Sequence, residues 1–209
     1  METSWWSVAS QSREFWPPPR FTTLRSARGR LNTARYAAPA VTLANGNVLF
    51  AGGCTNHCAG VTRTAELYNP TTGTWSFPGS LHVPGYFYTA TLLTSGKALV
   101  VGDCNAFSCA TVTARAELYD PTPGLWATTG SLSIARDFQT ATPLSDGRVL
   151  VAGGFGTTGK LTRAEIYNPA TGKWTSAGDL NMARAQNTST LLPNGRVLVA
   201  GGLDQMVCV

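Results

Sequence analysis

Arg163-Ala164-Glu165-Ile166-Tyr167-Asn168-Pro169, with Trp174 seven residues after its Tyr, decides the fold because it recurs. The same pattern stands at Ala65-Glu66-Leu67-Tyr68-Asn69-Pro70 with Trp75, and at Ala116-Glu117-Leu118-Tyr119-Asp120-Pro121 with Trp126. Each copy also carries an apolar run closed by a glycine pair or near-pair: Gly52-Gly53, Gly102-Asp103 and Gly153-Gly154, with Gly201-Gly202 opening a fourth copy. A fixed period of about fifty residues means stacked supersecondary units, each too small to bury its own apolar face.

The third copy reads as four strands. Thr140-Ala141-Thr142-Pro143-Leu144 and Arg148-Val149-Leu150-Val151-Ala152 are β-prone runs split by Asp146-Gly147. Such a split predicts a hairpin, with a type I′ turn if both central residues take positive φ. Asn45-Gly46, Ser95-Gly96 and Asn194-Gly195 stand at the same place. After the glycine pair comes a variable stretch, then a third strand at Arg163–Tyr167. Asn168-Pro169-Ala170-Thr171-Gly172 is a turn, since Pro cannot donate to a ladder and Gly is free to take positive φ. A fourth strand begins at Lys173-Trp174-Thr175. Four short antiparallel strands per unit make a propeller blade.

The spacing separates scaffold from variable surface. From the Ala of the Ala-Glu pair to the second residue of the next glycine pair is 38 residues each time: 65 to 103, 116 to 154, 164 to 202. All length variation falls between the glycine pair and the next Ala-Glu. A rigid lattice with one elastic loop suits a scaffold with a single adaptable face.

The Gly-Gly-closed strand, the Tyr and Trp at fixed spacing, and an Arg opening the next unit together resemble the kelch repeat family over about residues 31–202. The resemblance implies an all-β, kelch-type β-propeller: three four-stranded blades plus the first half of a fourth, an open or incomplete ring. The expected units are residues 31–81, 82–132 and 133–180 for blades 1 to 3, and 181–209 for the partial fourth blade. Residues 1–30 match no blade and read as a poorly ordered tail. The family implies binding of other proteins, and some secreted galactose-oxidase-type enzymes are built on the same blade.

Composition narrows the function. Charged residues are only 13%, and the net charge is +5. Residues 1–30 hold five Arg against Glu2 and Glu14, so the repeats carry little of that charge. This is too weak and scattered for a nucleic-acid footprint. No apolar run approaches a membrane span, and the N-terminal stretch lacks the apolar core of a signal peptide.

The recurrent Tyr and Trp are read as packing between blades. The recurrent Glu66, Glu117 and Glu165, with Arg35, Arg136 and Arg184, are read chiefly as structural pairs, although Gly85 replaces the Arg in the second copy. Strand direction puts the loops between strands two and three on the same face as the segments leading into each blade. That face is where a partner is expected, through Arg35, His57, Tyr86, Phe107, Arg136, Phe155 and Arg184. Exposed aromatics with Arg make good interface hot spots.

Four of the five cysteines form close pairs in matching loops: Cys54 with Cys58, and Cys104 with Cys109. Two readings fit. Two local disulfides would point to an oxidising compartment, outside the cell or at its surface. A zinc site would use the same four thiols with His57, although the spacing departs from the usual finger pattern. The disulfide reading leads, and no metal or cofactor is expected.

No nucleophile elbow, P-loop or zincin motif is present, and only two His occur, His57 and His82. The expectation is therefore a non-catalytic scaffold that binds a protein or glycan. The alternative is a propeller segment of a larger secreted, galactose-oxidase-like or other carbohydrate-active enzyme. Further blades or a second copy would complete the ring.

Overall fold

The computed structural model describes residues 31–55, 60–105 and 111–203. The tail expected over residues 1–30 lies outside them, as do His57, Cys58, Phe107, Cys109 and Cys208. Among the described residues every regular element is a strand.

Blade 1 contains β1 (Ala40–Thr42), β2 (Val48–Ala51), β3 (Cys54–Thr55), β4 (Gly60–Val61), β5 (Ala65–Asn69) and β6 (Thr74–Ser76). Blade 2 contains β7 (Thr89–Leu92), β8 (Ala98–Cys104), β9 (Val112–Asp120) and β10 (Leu125–Thr128). Blade 3 contains β11 (Thr140–Pro143), β12 (Val149–Ala152), β13 (Phe155–Gly156), β14 (Gly159–Lys160), β15 (Arg163–Asn168) and β16 (Lys173–Asp179). The half-blade is β17 (Thr188–Leu191) and β18 (Val197–Ala200). Three four-stranded antiparallel sheets result, β1-β2-β5-β6, β7-β8-β9-β10 and β11-β12-β15-β16, followed by the pair β17-β18. The first strands β1, β7, β11 and β17 contact one another in succession, so the sheets share an inner edge. The array is a partial β-propeller, and its described residues do not close a ring.

The core lies between blades. Leu43, Leu49 and Ala65 of blade 1 meet Ala98 and Tyr119 of blade 2. Leu93, Leu99, Val101 and Ala116 of blade 2 meet Val149, Val151 and Tyr167 of blade 3. The blade Tyr therefore buries against the preceding sheet: Tyr119 is 2% exposed and Tyr167 0%, whereas Tyr68, with no preceding sheet among the described residues, is half-buried. Each Tyr also packs on its cross-strand Trp, at centroid distances of 5.0, 5.2 and 5.0 Å in blades 1 to 3. Such pairs contribute about 1 kcal/mol beyond area burial. Trp174 Nε1–H donates to Gly130 O at 2.7 Å and Thr129 Oγ1 bonds Tyr167 Oη at 2.7 Å, tying blade 3 to blade 2.

The hairpins after the first strands are present, but not with type I′ turns. Leu43 N donates to Asn47 O at 2.8 Å, and Gly46 N donates to Leu43 O at 2.9 Å. Only the glycine is left-handed, with φ +82° at Gly46, +82° at Gly96, +83° at Gly147 and +79° at Gly195. A longer loop that puts one left-handed residue after the tight turn needs glycine once, not two positive φ values. The Asn45 and Asp146 carboxamide and carboxylate oxygens accept from the amides of Asn47 and Arg148, fixing the loop from within.

The stretch after the glycine pair is more regular than the sequence suggests. In blades 1 and 3 the second glycine is left-handed, at φ +101° for Gly53 and +99° for Gly154. The strand breaks there and restarts as a small hairpin, β3-β4 or β13-β14. Blade 2 has Asp103 at that position, and Asp does not take the left-handed turn. β8 continues through it with a bulge at Gly102, pairing Asp103 with Thr113 and Cys104 with Val112.

Candidate partner-binding face

A short segment leads into each blade: Arg35-Tyr36-Ala37, Gly85-Tyr86-Phe87, Arg136-Asp137-Phe138 and Arg184-Ala185-Gln186. Its second residue bridges the residue after the glycine pair, as Tyr36 with Cys54, Tyr86 with Cys104, Asp137 with Phe155 and Ala185 with Leu203. Its third residue is left-handed every time: φ is 54° at Ala37, 59° at Phe87, 51° at Phe138 and 54° at Gln186. That conformation costs a non-glycine residue about 1–2 kcal/mol. Hydrogen bonds between blades offset it: Phe87 N donates to Ala37 O and Gln186 N to Phe138 O, both at 3.0 Å.

The left-handed backbone brings aromatic rings together across three blades. Tyr36 meets Phe87 edge-on at 6.3 Å, Phe87 overlaps Phe138 at 3.9 Å, and Phe138 meets Phe155 edge-on at 6.3 Å. Tyr86 lies 4.7 Å from Phe87 and is buried with Cys54 and Cys104 beneath the array. Tyr36 is 48% exposed, and Phe87, Phe138 and Phe155 are half-buried. An apolar strip of this kind needs no titrating group to bind a partner.

The recurrent Arg and Glu build a lattice just below this face. Arg136 is 0% exposed. Its Nη1 donates to Gly153 O at 2.9 Å and Arg163 O at 2.8 Å, and its Nη2 to Glu165 Oε1 at 2.8 Å. Arg35 repeats this with Gly52 O at 2.9 Å, Thr64 O at 2.7 Å and Glu66 Oε1 at 2.6 Å. Each Glu also accepts from the start of the lead-in segment, Glu66 from the Asn32 and Thr33 amides at 2.7 and 3.0 Å and Glu165 from the Ser133 amide at 2.7 Å. Burial works against ionisation of Glu66, but the Asn32 amide, the Arg35 guanidinium and the Thr33 amide together outweigh it. Its carboxyl is held below the usual carboxylate range.

Residues 139–181 match the family model described as the Kelch motif. Blade 3 is therefore similar to the Kelch motif. The matched stretch runs from the start of β11 through β16, the whole of the blade 3 sheet. No curated protein matches the chain. The lattice of blade 3 recurs in blade 1, down to the Arg-to-carbonyl bonds.

Blade 2 departs from this lattice in a concerted way. Gly85 replaces the Arg, and a Cβ there would collide with the Asp103 carboxylate and the Tyr88 ring. The guanidinium site is thus filled by Asp103, which accepts from the Thr113 hydroxyl and from Tyr88. Burial raises the Asp103 carboxyl, against the pull of Thr113, Arg115 and Tyr88, and burial beside Asp103 raises the Tyr88 phenol. Glu117 keeps its place and takes His82 instead, from its amide N at 3.0 Å and its Nδ1 at 2.7 Å.

The structure therefore corrects part of the expected site. The Arg35 and Arg136 side chains are buried in lattice bonds and present no guanidinium to a partner. Tyr86 is 3% exposed and forms floor, not surface. Phe155 stands in the aromatic array, and Arg184 is half-buried at the margin with its Nη1 on Gly201 O at 2.9 Å. Tyr36, Phe87 and Phe138 escaped the sequence reading because they lie one or two residues from the conspicuous Arg position. The only signal was that aromatics cluster where other copies have Ala or Gln. Cys54 and Cys104 are both buried, and their sequence neighbours Cys58 and Cys109 lie outside the described residues. Among the described residues no three His, Cys, Asp or Glu side chains gather to hold a metal ion, and no helix is long and apolar enough to cross a membrane.

Proposed function

We propose that this chain is a non-catalytic kelch-type scaffold that binds a protein partner through Tyr36, Phe87, Phe138 and Phe155. The observation that carries the reading is the continuous contact of these four rings across three blades. Rings packed on one another lose little freedom on binding, which favours them as anchors. Phe155 and Arg184 remain from the sequence reading, as part of the array and of its margin. His57 and Phe107 lie outside the described residues, in sequence between β3 and β4 and between β8 and β9, and are proposed as further contacts.

Selection of displayed peptides on the folded chain tests this. Clones enriched on the native chain are expected to lose binding to Tyr36→Ser and Phe155→Ser, and to keep it on Phe77→Ser. Phe77 is 62% exposed and lies outside the array. Clones that bind all three variants equally would sink the assignment.

A local disulfide from Cys54 to Cys58 is proposed as the staple of the first loop. Non-reducing peptide mapping should recover the two cysteines in one linked fragment, and alkylation of both without reductant would refute it.

A further inference from the structure

The hairpin turns Asn45-Gly46, Ser95-Gly96, Asp146-Gly147 and Asn194-Gly195 share one geometry around a left-handed glycine. The glycine amide donates to the carbonyl three residues back, at 2.9 Å for Gly46, Gly96 and Gly195 and 3.0 Å for Gly147. The side-chain oxygen before the glycine accepts from the amide after it, at 3.0 Å for Asn45 and Asn194 and 3.1 Å for Asp146. Asn45 and Asn194 are exposed, and a Cβ on Gly46 or Gly195 would meet nothing within 4 Å. Ser95, with a complete sheet on either side, is exposed too, so the exposure belongs to the turn itself.

An Asn before glycine can modify itself. The glycine amide nitrogen gives up its proton and bonds to the Asn Cγ. The Cγ–Nδ2 bond then breaks, and Nδ2 takes up a proton and leaves as ammonia. The cyclic imide that remains is opened by one water. Water adding at Cγ restores the backbone and leaves aspartate. Water adding at the main-chain carbonyl carbon gives isoaspartate, with the chain rerouted through Cγ. The turn assists this reaction in two ways. Glycine has no side chain to obstruct ring closure, and the amide on Oδ1 sits where negative charge develops as nitrogen attacks. It opposes the reaction in one, because the glycine N–H must first leave its carbonyl partner, Leu43 O or Leu192 O.

Blade 3 shows what the aspartate product looks like. Asp146 keeps the same turn, and its second oxygen, in the place of an Asn Nδ2, accepts from Arg148 Nε at 2.7 Å. Arg148 Nη2 lies 2.7 Å from that oxygen as well. Asn194 is followed at the same interval by Arg196, whereas Asn45 is followed by the uncharged Asn47. We propose that Asn194 is a spontaneous deamidation site and that Arg196 directs its imide to open as aspartate. The Arg196 guanidinium polarises the Cγ carbonyl towards water and pairs with the carboxylate that forms, as Arg148 pairs with Asp146. Asn45 reacts without that direction. The conversion puts an acid in place of a neutral side chain and leaves the hairpin intact.

The test ages the full chain at mildly alkaline pH and maps its peptides by mass spectrometry, with fragmentation that separates aspartate from isoaspartate. Asn194 is expected to convert. Its aspartate-to-isoaspartate ratio should exceed that of Asn45 in the same molecules by about threefold, the scale of an exposed charge pair. In the Arg196→Ala chain the two ratios should agree. A free peptide copying residues 190–199 has the Arg without the turn, and it should also give the lower ratio. Asn45 and the peptide are read without any variant, so a folding defect in Arg196→Ala cannot mimic the result. Three outcomes would each overturn the proposal: an Asn194 that stays intact while the peptide converts, equal ratios at Asn194 and Asn45, or a ratio that Arg196→Ala leaves unchanged.

Discussion

Phe87 and Phe138 pack with ring centroids 3.9 Å apart and planes tilted by 36°, and each rises from a left-handed backbone, at φ 59° and 51°. The contact between blades and the strained conformation are one feature, because only that backbone aims both rings at each other. Substitution at residue 138 separates the two parts. Phe138→Ala loses the ring and keeps the strain, whereas Phe138→Gly loses the ring and relieves the strain. Glycine is therefore expected to be more stable than alanine here by about 1 kcal/mol, the reverse of the usual order. Urea unfolding of the two variants measures it, and alanine coming out ahead would mean that the strain is not there.

Arg136 and Arg184 hold corresponding positions with unequal partners. Arg136→Ala leaves Glu165 buried without its cation and should cost about 3–5 kcal/mol. Arg184 faces no carboxylate among the described residues, so Arg184→Ala should cost less than about 1 kcal/mol. The contrast in denaturation midpoints is the readout. Equal losses would argue that the Arg184 contact to Gly201 O carries the stability.

Gly85 is a glycine because Asp103 and Tyr88 occupy the space of the lattice guanidinium. Gly85→Ala is expected to destabilise by about 1–3 kcal/mol through overpacking, and Gly85→Arg by more. Adding Tyr88→Gln and Asp103→Gly to Gly85→Arg rebuilds the arrangement of blade 3. The triple variant should be more stable than Gly85→Arg alone, a non-additivity that thermal unfolding detects.

Glu66 and Asp103 should tune stability with pH in opposite senses. The Glu66 carboxyl is lowered in the fold, so its contribution is present above the unfolded value, about 4.3, and is lost as pH falls through the folded value. The stability gap between the native chain and Glu66→Gln should shrink on acidification below that point. The Asp103 carboxyl is raised, so its contribution is full below the unfolded value, about 3.9, and is lost as pH rises through the folded value. Asp103→Asn should therefore gain on the native chain as pH rises from about 4, then level off. Chemical denaturation over a pH series gives both curves.

Much of the fold was legible because the period is carried by residues with few structural alternatives. Asp146-Gly147 and its counterparts place the hairpins, and the Tyr167–Trp174 spacing places a turn between paired strands. The turn type was not legible, since the choice between two left-handed residues and one depends on how far the flanking strands pair. The run of β8 through Asp103 was visible only as a missing glycine. Arg35 and Arg136 were legible as conspicuous repeats, but their burial was not: a guanidinium is hidden or offered according to which carbonyls surround it.

The sequence by itself determined the blade, because period, turn residues and alternating apolar strands are local properties. It also marked blade 2 as the exception through Gly85 and Asp103. Tertiary structure alone decided the candidate site. Tyr36, Phe87, Phe138 and Phe155 are remote in sequence, and they become neighbours only when successive sheets pack at a fixed angle.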